Sequence, residues 1–322
     1  MTAMGSFQIV ERIAEGGMGA LYRARDPATS RMVALKTTRR GSRAETAGLR
    51  CEGAILRQLQ HPGIVRILAH GRHEGRPWIA LELLEGRTLQ DEVEALWAGA
   101  PHRHAAGARR LDGTPTVSLR PAAQAPSPPT AVPARSGRPL AGGGRLGHVC
   151  AIAGELAAIL DHVHARGLVH RDVKPANVFL RAVNDGPARV TLLDFGLACR
   201  ASRTGARGHS ALCVGTMQYA APEQILGDPV DGRADIYALG CVLYQLVTGV
   251  CPFEGPTSRV LAREQVSRAP LAPSLLVSRL PAPIEELIME MLAKEPDQRP
   301  ASAGAVAVRL ARASASLGGR IV

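Results

Sequence analysis

The chain has 322 residues, 46% hydrophobic, 21% charged and only 3% aromatic, with 39 basic against 28 acidic side chains for a net charge of +11. That length allows two domains or lobes with a core that needs no disulfide staples, and the apolar fraction excludes a wholly disordered chain. So few aromatics imply an aliphatic core and disfavour a base-stacking surface for single-stranded nucleic acid.

The N-terminus has no charged run followed by an apolar one, so no signal peptide is expected. Phe7 to Ile13 reads as a strand that enters the cluster Ile13-Ala14-Glu15-Gly16-Gly17-Met18-Gly19-Ala20-Leu21. Ala20 to Arg25 and Met32 to Thr37 follow as strands, with Asp26-Pro27 as the turn between them. Glycines between two strands let backbone N–H groups approach phosphate oxygens, although an ordinary hairpin uses the same residues. Lys36 ends the apolar run Val33-Ala34-Leu35. It is one of three lysines, with Lys174 and Lys294, in a chain whose other cations are arginine. A lysine kept against that background suggests a site that needs a compact ammonium group. Ala47 to Leu59 has helical spacing, with Leu49, Ile55, Leu56 and Leu59 on the apolar side and Glu52 as the obvious partner for Lys36. His61-Pro62-Gly63 stops that helix, and Ile64 to His70 and Pro77 to Leu84 read as two more strands. Residues 7–85 thus make a small antiparallel unit of five strands and one helix.

Residues 94–145 are rich in Pro, Ala, Gly and Arg and have no period, with seven arginines against two acids. They are expected to be a disordered insert, either a solvated linker or a docking arm for an acidic partner. Residues 86–93 and 146–312 form the second unit, mostly helical, with 313–322 as a tail. Val149, Ile152, Leu156, Leu160 and Val163 make one apolar stripe. Leu168 to Leu193 is β-type, with Asn184-Asp185-Gly186 as a hairpin turn. Just before that hairpin lies His170-Arg171-Asp172-Val173-Lys174-Pro175-Ala176-Asn177, and just after it Asp194-Phe195-Gly196. The hairpin brings Asn177 and Asp194 together. A neutral oxygen and a carboxylate near a third group, Asp172, suit a hard cation such as Mg²⁺, which implies a phosphate ligand. Apolar periodicity returns at 233–248, 257–267, 283–293 and 302–312. The six cysteines form no C-x-x-C pair, so no zinc site is read. No run of about 18 apolar residues occurs, so no membrane span and a cytoplasmic location are expected.

These motifs, in this order, resemble the eukaryotic-type protein kinase catalytic domain, particularly the bacterial Ser/Thr kinases. The resemblance covers 7–312 apart from the insert, and it implies an α+β fold of two lobes: a small antiparallel sheet with one helix, and a larger, mainly helical lobe. It implies transfer of the ATP γ-phosphoryl group to serine or threonine hydroxyls of proteins, the chain itself included, with Mg²⁺ or Mn²⁺ as the metal. Under it, Gly16, Gly17 and Gly19 would cover the phosphates, and Ile13, Met18, Leu21 and Ala34 would line the nucleotide site. Lys36 would hold the α- and β-phosphates and pair with Glu52. Glu82 and Leu84 resemble the hinge that meets adenine, with Leu81 as gatekeeper. Asp172 would accept the substrate proton, Lys174 would neutralise the γ-phosphoryl charge, and Asn177 and Asp194 would hold the metal. Glu223 in Ala221-Pro222-Glu223 is expected to pair with Arg299, and Asp235 to brace the catalytic-loop backbone. Thr204, Ser210 and Ser202 are the candidate phosphorylation sites. Ala14 departs from the family, whose first loop glycine stands there; this puts the tightness of the nucleotide lid in doubt. Two other readings compete: a nucleotide-binding pseudokinase, against which the intact Lys36, Asp172, Asn177 and Asp194 speak, and a basic nucleic-acid-binding protein.

Overall fold

The computed structural model describes residues 3–16, 19–38, 43–98, 143–183, 186–200 and 217–317. The N-terminal lobe is a six-stranded sheet in the order β1-β2-β3-β4-β6-β5. The strands are β1 (Ala3–Met4), β2 (Phe7–Gly16), β3 (Gly19–Arg25), β4 (Met32–Thr37), β5 (Ile67–His73) and β6 (Arg76–Glu82), and every pairing is antiparallel. Helix α1 (Arg43–Gln58) packs on one face. Strand β6 is buried on both sides because each face has a cover. Ile79 and Leu81 join Leu49, Ile55 and Leu56 of α1, while Trp78 and Ala80 join Met4, Phe7, Ala24, Val33 and Leu35 in a second cluster. The sequence reading of five strands is corrected to six. Met4 is buried and pairs with Phe7 across a turn at Gly5, whose φ is +61°. The strand expected from Ile64 begins at Ile67, and Ile64 instead bridges in parallel to Leu192.

The C-terminal lobe is built around α3 (Gly143–His164), which packs against α8 (Ala303–Ser316) and α5 (Arg233–Thr248). Val149, Ile152, Leu156, Leu160 and Val163 are all fully buried, as their spacing requires. Each such burial contributes about 1.5–3 kcal/mol. By length and composition α3 is apolar enough to cross a membrane, but 72% of that window is buried within the lobe, as in a core helix. Helix α2 (Leu89–Trp97) starts at a capping box, in which the Thr88 hydroxyl accepts from Asp91 N and the Asp91 carboxylate accepts from Thr88 N. It runs four residues past the boundary set at 93, because Trp97 is buried and donates from Nε1 to Leu246 O at 3.2 Å. Likewise α3 begins three residues before 146, and α8 continues past 312. Arg145 lies 5.2 Å from the Trp97 ring, so the two ends of the insert meet. Residues 99–142 of the insert lie outside the described residues.

Two small sheets flank the 170–177 loop. Strands β7 (Gly86–Thr88), β9 (Val178–Val183) and β10 (Gly186–Leu192) form one, and β8 (Leu168–Val169) pairs with β11 (Cys199–Arg200) in the other. The lobes are tied at Leu192, whose N–H donates to Gly63 O at 2.8 Å and whose carbonyl accepts from Val65 N at 3.2 Å. Helices α4 (Pro222–Leu226), α6 (Ser258–Ser267) and α7 (Ala282–Met291) complete the lobe.

Candidate active site

Antiparallel register puts Lys36 of β4 opposite Leu21 of β3 and Ile79 of β6, on the face that α1 covers. Its Nζ lies 2.9 Å from both carboxylate oxygens of Glu52 and 3.0 Å from Asp194 Oδ1. One ammonium therefore serves two carboxylates. Burial works against the Lys36 charge, but Glu52 and Asp194 overrule it and hold the pKa above the ordinary lysine value. Glu52 is the more deeply buried acid, and burial pushes its carboxyl up to about 7 against the pull of Lys36. Asp194 goes the other way: burial opposes its charge, but Lys36 and the Gly196 N–H at 3.1 Å hold it below the usual carboxylate range.

The 170–177 loop follows β8. Asp172 accepts from Lys174 Nζ at 3.0 and 2.8 Å and from Asn177 Nδ2 at 2.9 Å. The same amide nitrogen also reaches Asp172 O at 2.9 Å, and Asn177 O accepts from Leu193 N at 2.8 Å. The hairpin thus seats Asn177 against the residue before Asp194. Arg171 has φ +66° and Asp194 φ +51°, conformations that cost a non-glycine residue about 1–3 kcal/mol and persist only where neighbours hold them. Asp235, fully buried at the start of α5, supplies that hold for Arg171. Its Oδ1 accepts from Arg171 N, and its Oδ2 accepts from His170 N and His164 Nε2, all at 2.8 Å. His170 donates from Nε2 to Leu193 O at 3.0 Å, accepts from Asp172 N on Nδ1 at 3.3 Å, and meets Phe195 edge-on at 4.7 Å. Both ring nitrogens are occupied, so His170 orients the loop and has no lone pair free to act as a base.

The structure brings together most of the residues that the motifs single out. Gly16 and Gly19 pair at the end of the β2–β3 hairpin. Gly19 has φ +128°, and a Cβ there would fall 2.0 Å from Thr37 O, so only glycine fits. Ala34 is buried opposite Leu81, Leu21 is half-buried, and Ile13 is 48% exposed. Glu82 spends Oε1 on Arg66 N at 2.9 Å, which leaves the hinge role to its backbone, and Leu84 packs on the core. Ala14 pairs with Leu21 inside the hairpin. Glu223 and Arg299 make a buried bidentate pair at 2.7 and 2.8 Å. Gly17, Met18, Ser202, Thr204 and Ser210 lie outside the described residues. Three contributors escaped the sequence reading. His164 props Asp235, Gln224 Nε2 donates to Arg171 O at 3.1 Å, and Gln265 holds the backbone at 217–218. Separations of 71 and 53 residues leave no spacing signal for the first two.

A divalent metal fits this donor set. Asn177 commits its NH₂ group to Asp172, so its Oδ1 is the unspent atom, and Asp194 is anchored through Oδ1. A neutral oxygen beside a carboxylate suits a hard cation that completes its shell with phosphate and water. Among the described residues, no group of three His, Cys, Asp or Glu side chains gathers into a softer metal site.

Comparison with known proteins agrees with this geometry. The sequence model of the protein kinase domain matches residues 7–106 and 146–310. The serine/threonine-protein kinase Pkn1 of Myxococcus xanthus is 33% identical over 306 residues, which cover 94% of this chain and 37% of Pkn1. The serine/threonine-protein kinases PknJ and PknB of Mycobacterium tuberculosis are 31% and 30% identical over 94% and 95% of this chain, and 44% and 42% of their own lengths. The chain therefore spans less than half the length of these curated relatives.

Proposed function

The chain belongs to the protein kinase family, and on that premise we propose that it transfers the γ-phosphoryl group of Mg²⁺-ATP to serine and threonine hydroxyls of proteins, itself included. The observation that carries this reading is a pair of linked clusters, Lys36 with Glu52 and Asp194, and Asp172 with Lys174 and Asn177, joined where Asn177 O accepts from Leu193 N. Phosphoryl transfer asks the protein mainly for positioning and charge stabilisation. Lys36, oriented by Glu52, holds the α- and β-phosphates. Asp172 accepts the proton of the attacking hydroxyl, and Lys174 balances the charge of the transferring group beside it. Asn177 and Asp194 would hold the metal, which would supply positive charge to offset that of the phosphates. Backbone groups at Gly16 and Gly19 lie over the phosphates, and Glu82 and Leu84 present their backbone to the base. Lys174 two residues after Asp172 favours serine and threonine over tyrosine.

Thr204, Ser210 and Ser202 are the proposed self-modified sites, and Arg171, the residue just before Asp172, is the cation that would meet such a phosphate. The 94–145 insert is read as a solvated linker, with a docking arm for an acidic partner as the alternative, and the catalytic unit is proposed as cytoplasmic, where ATP is supplied. The test is γ-labelled ATP with a generic protein substrate, followed by phosphoamino-acid analysis. Label on serine or threonine that is lost in both Asp172→Asn and Lys36→Met supports the reading. Label confined to tyrosine, or label undiminished in both variants, overturns it.

A further inference from the structure

Two of the three lysines sit in the cleft; the third, Lys294, lies far along the chain, just after α7. Its ammonium is 3.8 Å from the centre of the Phe253 ring and 5.5 Å from that of Tyr237. It donates to Gln265 O at 2.7 Å and to the Tyr237 hydroxyl at 3.2 Å. Among the described residues it makes no ion pair with a carboxylate; Cys241 of α5, Glu264 of α6 and Arg299 are the titratable groups that act on it. Burial pushes its pKa down to about 8, so it remains mostly protonated at neutral pH. A partly buried cation held by ring faces and neutral oxygens suits a compact ammonium.

The contacts continue outward. The Tyr237 hydroxyl, which accepts from Lys294, donates to Gln265 Oε1 at 2.6 Å. Gln265 is fully buried and donates from Nε2 to Met217 O at 3.2 Å and Gln218 O at 2.7 Å. In such a chain each donor polarises the next, and the ammonium at its head strengthens every link. The chain ends on the backbone that leads into Tyr219 and then α4, whose Gln224 bonds Arg171 O beside Asp172. Residues 217–224 are therefore fixed from two sides: by Lys294 through Tyr237 and Gln265, and by the catalytic loop.

We propose that Lys294 is a positioning residue for the protein substrate: through Tyr237 and Gln265 it sets the backbone at 217–218, and that segment runs into α4, whose Gln224 holds the Arg171 carbonyl beside Asp172, where the substrate hydroxyl must arrive. This rests on the kinase reading and adds to it a division of labour, in which Lys294 governs engagement of the protein substrate and leaves the nucleotide alone. Arginine would not replace it, because a planar fork does not occupy the Phe253 face and the two oxygens at once.

The experiment compares Lys294→Met, Lys294→Arg and Tyr237→Phe by steady-state kinetics, nucleotide-binding titration and amide hydrogen exchange. Lys294→Met should raise the KM for protein substrate about tenfold, the loss of one charge-assisted hydrogen bond, with KM for ATP within twofold of wild type. Lys294→Arg should fail to rescue, and Tyr237→Phe, which removes one hydroxyl, should give a smaller change of the same kind. Exchange should quicken at 217–224 and stay unchanged across 233–248 in each variant. Equal changes in kcat and both KM values, full rescue by arginine, or unaltered exchange at 217–224 would overturn the proposal. The exchange arm needs no phosphotransfer, so it judges the relay even if the wild-type chain binds nucleotide and transfers nothing, an outcome that would instead overturn the kinase reading.

Discussion

Replacing Asp235 with asparagine isolates the contact on which the catalytic loop depends. In the native chain its two oxygens satisfy three donors at 2.8 Å: His170 N, Arg171 N and His164 Nε2. An asparagine has one oxygen. With that oxygen facing His170 and His164, its NH₂ faces the Arg171 N–H, donor against donor. The orphaned N–H costs about 1–3 kcal/mol, and the two surviving bonds lose charge assistance worth about 1 kcal/mol each. The left-handed Arg171, at φ +66°, also loses the partner that holds it there. Destabilisation of about 3–5 kcal/mol is expected, read from urea unfolding followed by circular dichroism. Displacement of Asp172 by even about 1 Å lowers kcat about a hundredfold, while nucleotide affinity, set in the other lobe, changes less than twofold. Burial opposes the Asp235 charge, but His164 and the backbone donors hold its pKa below the usual range. Its contribution is therefore present above the ordinary aspartate value and is lost as pH falls through the folded one. A loss under about 1 kcal/mol with unchanged kcat would refute the bracing argument.

Arg299→Lys should lower stability by about 3–5 kcal/mol and the melting temperature by about 10 °C, because an ammonium cannot replace a buried fork that meets both Glu223 oxygens and three backbone carbonyls; a shift under about 2 °C would contradict this. As pH falls through about 7, Glu52 takes up a proton and Lys36 loses an anionic partner, so kcat should show an acid limb there that Glu52→Gln removes. Stability should show the opposite sign from this group: its raised pKa gives a contribution that is full below about 4.5 and lost as pH rises through about 7. The His61 and His162 rings touch at 4.4 Å across the two lobes, and burial, together with Arg166, lowers both pKa values. Their contribution is present above about 6.5 and lost below it, so His162→Gln should flatten the acid side of the melting-temperature profile.

The site was largely legible because its residues are contiguous or linked by short, rule-bound elements. Asp172, Lys174 and Asn177 share one loop, and a single hairpin returns the chain to Asp194. Helical spacing that buries Leu49 and Leu56 also faces Glu52 toward Lys36. What stayed hidden depends on distant packing. A two-residue strand at Ala3–Met4 has no period to detect, and it forms because Met4 and Phe7 cover the Trp78 side of the sheet. Helix α2 outlasts its composition because Trp97 finds Leu246 O, 149 residues away. His164 reads as an ordinary polar residue until the fold sets it against Asp235, and Lys294, singled out only by the rarity of lysine, gains a place when the fold sets it against Phe253.

The central claim, phosphotransfer by Asp172, is tested most directly by intact-mass measurement of the purified chain after incubation with Mg²⁺-ATP, beside Asp172→Asn and with a generic serine/threonine substrate present. The account predicts phosphate-sized mass gains on the chain or the added substrate with the wild type, and none with Asp172→Asn. Equal gains with both, or nucleotide binding without any gain on either protein, would contradict it.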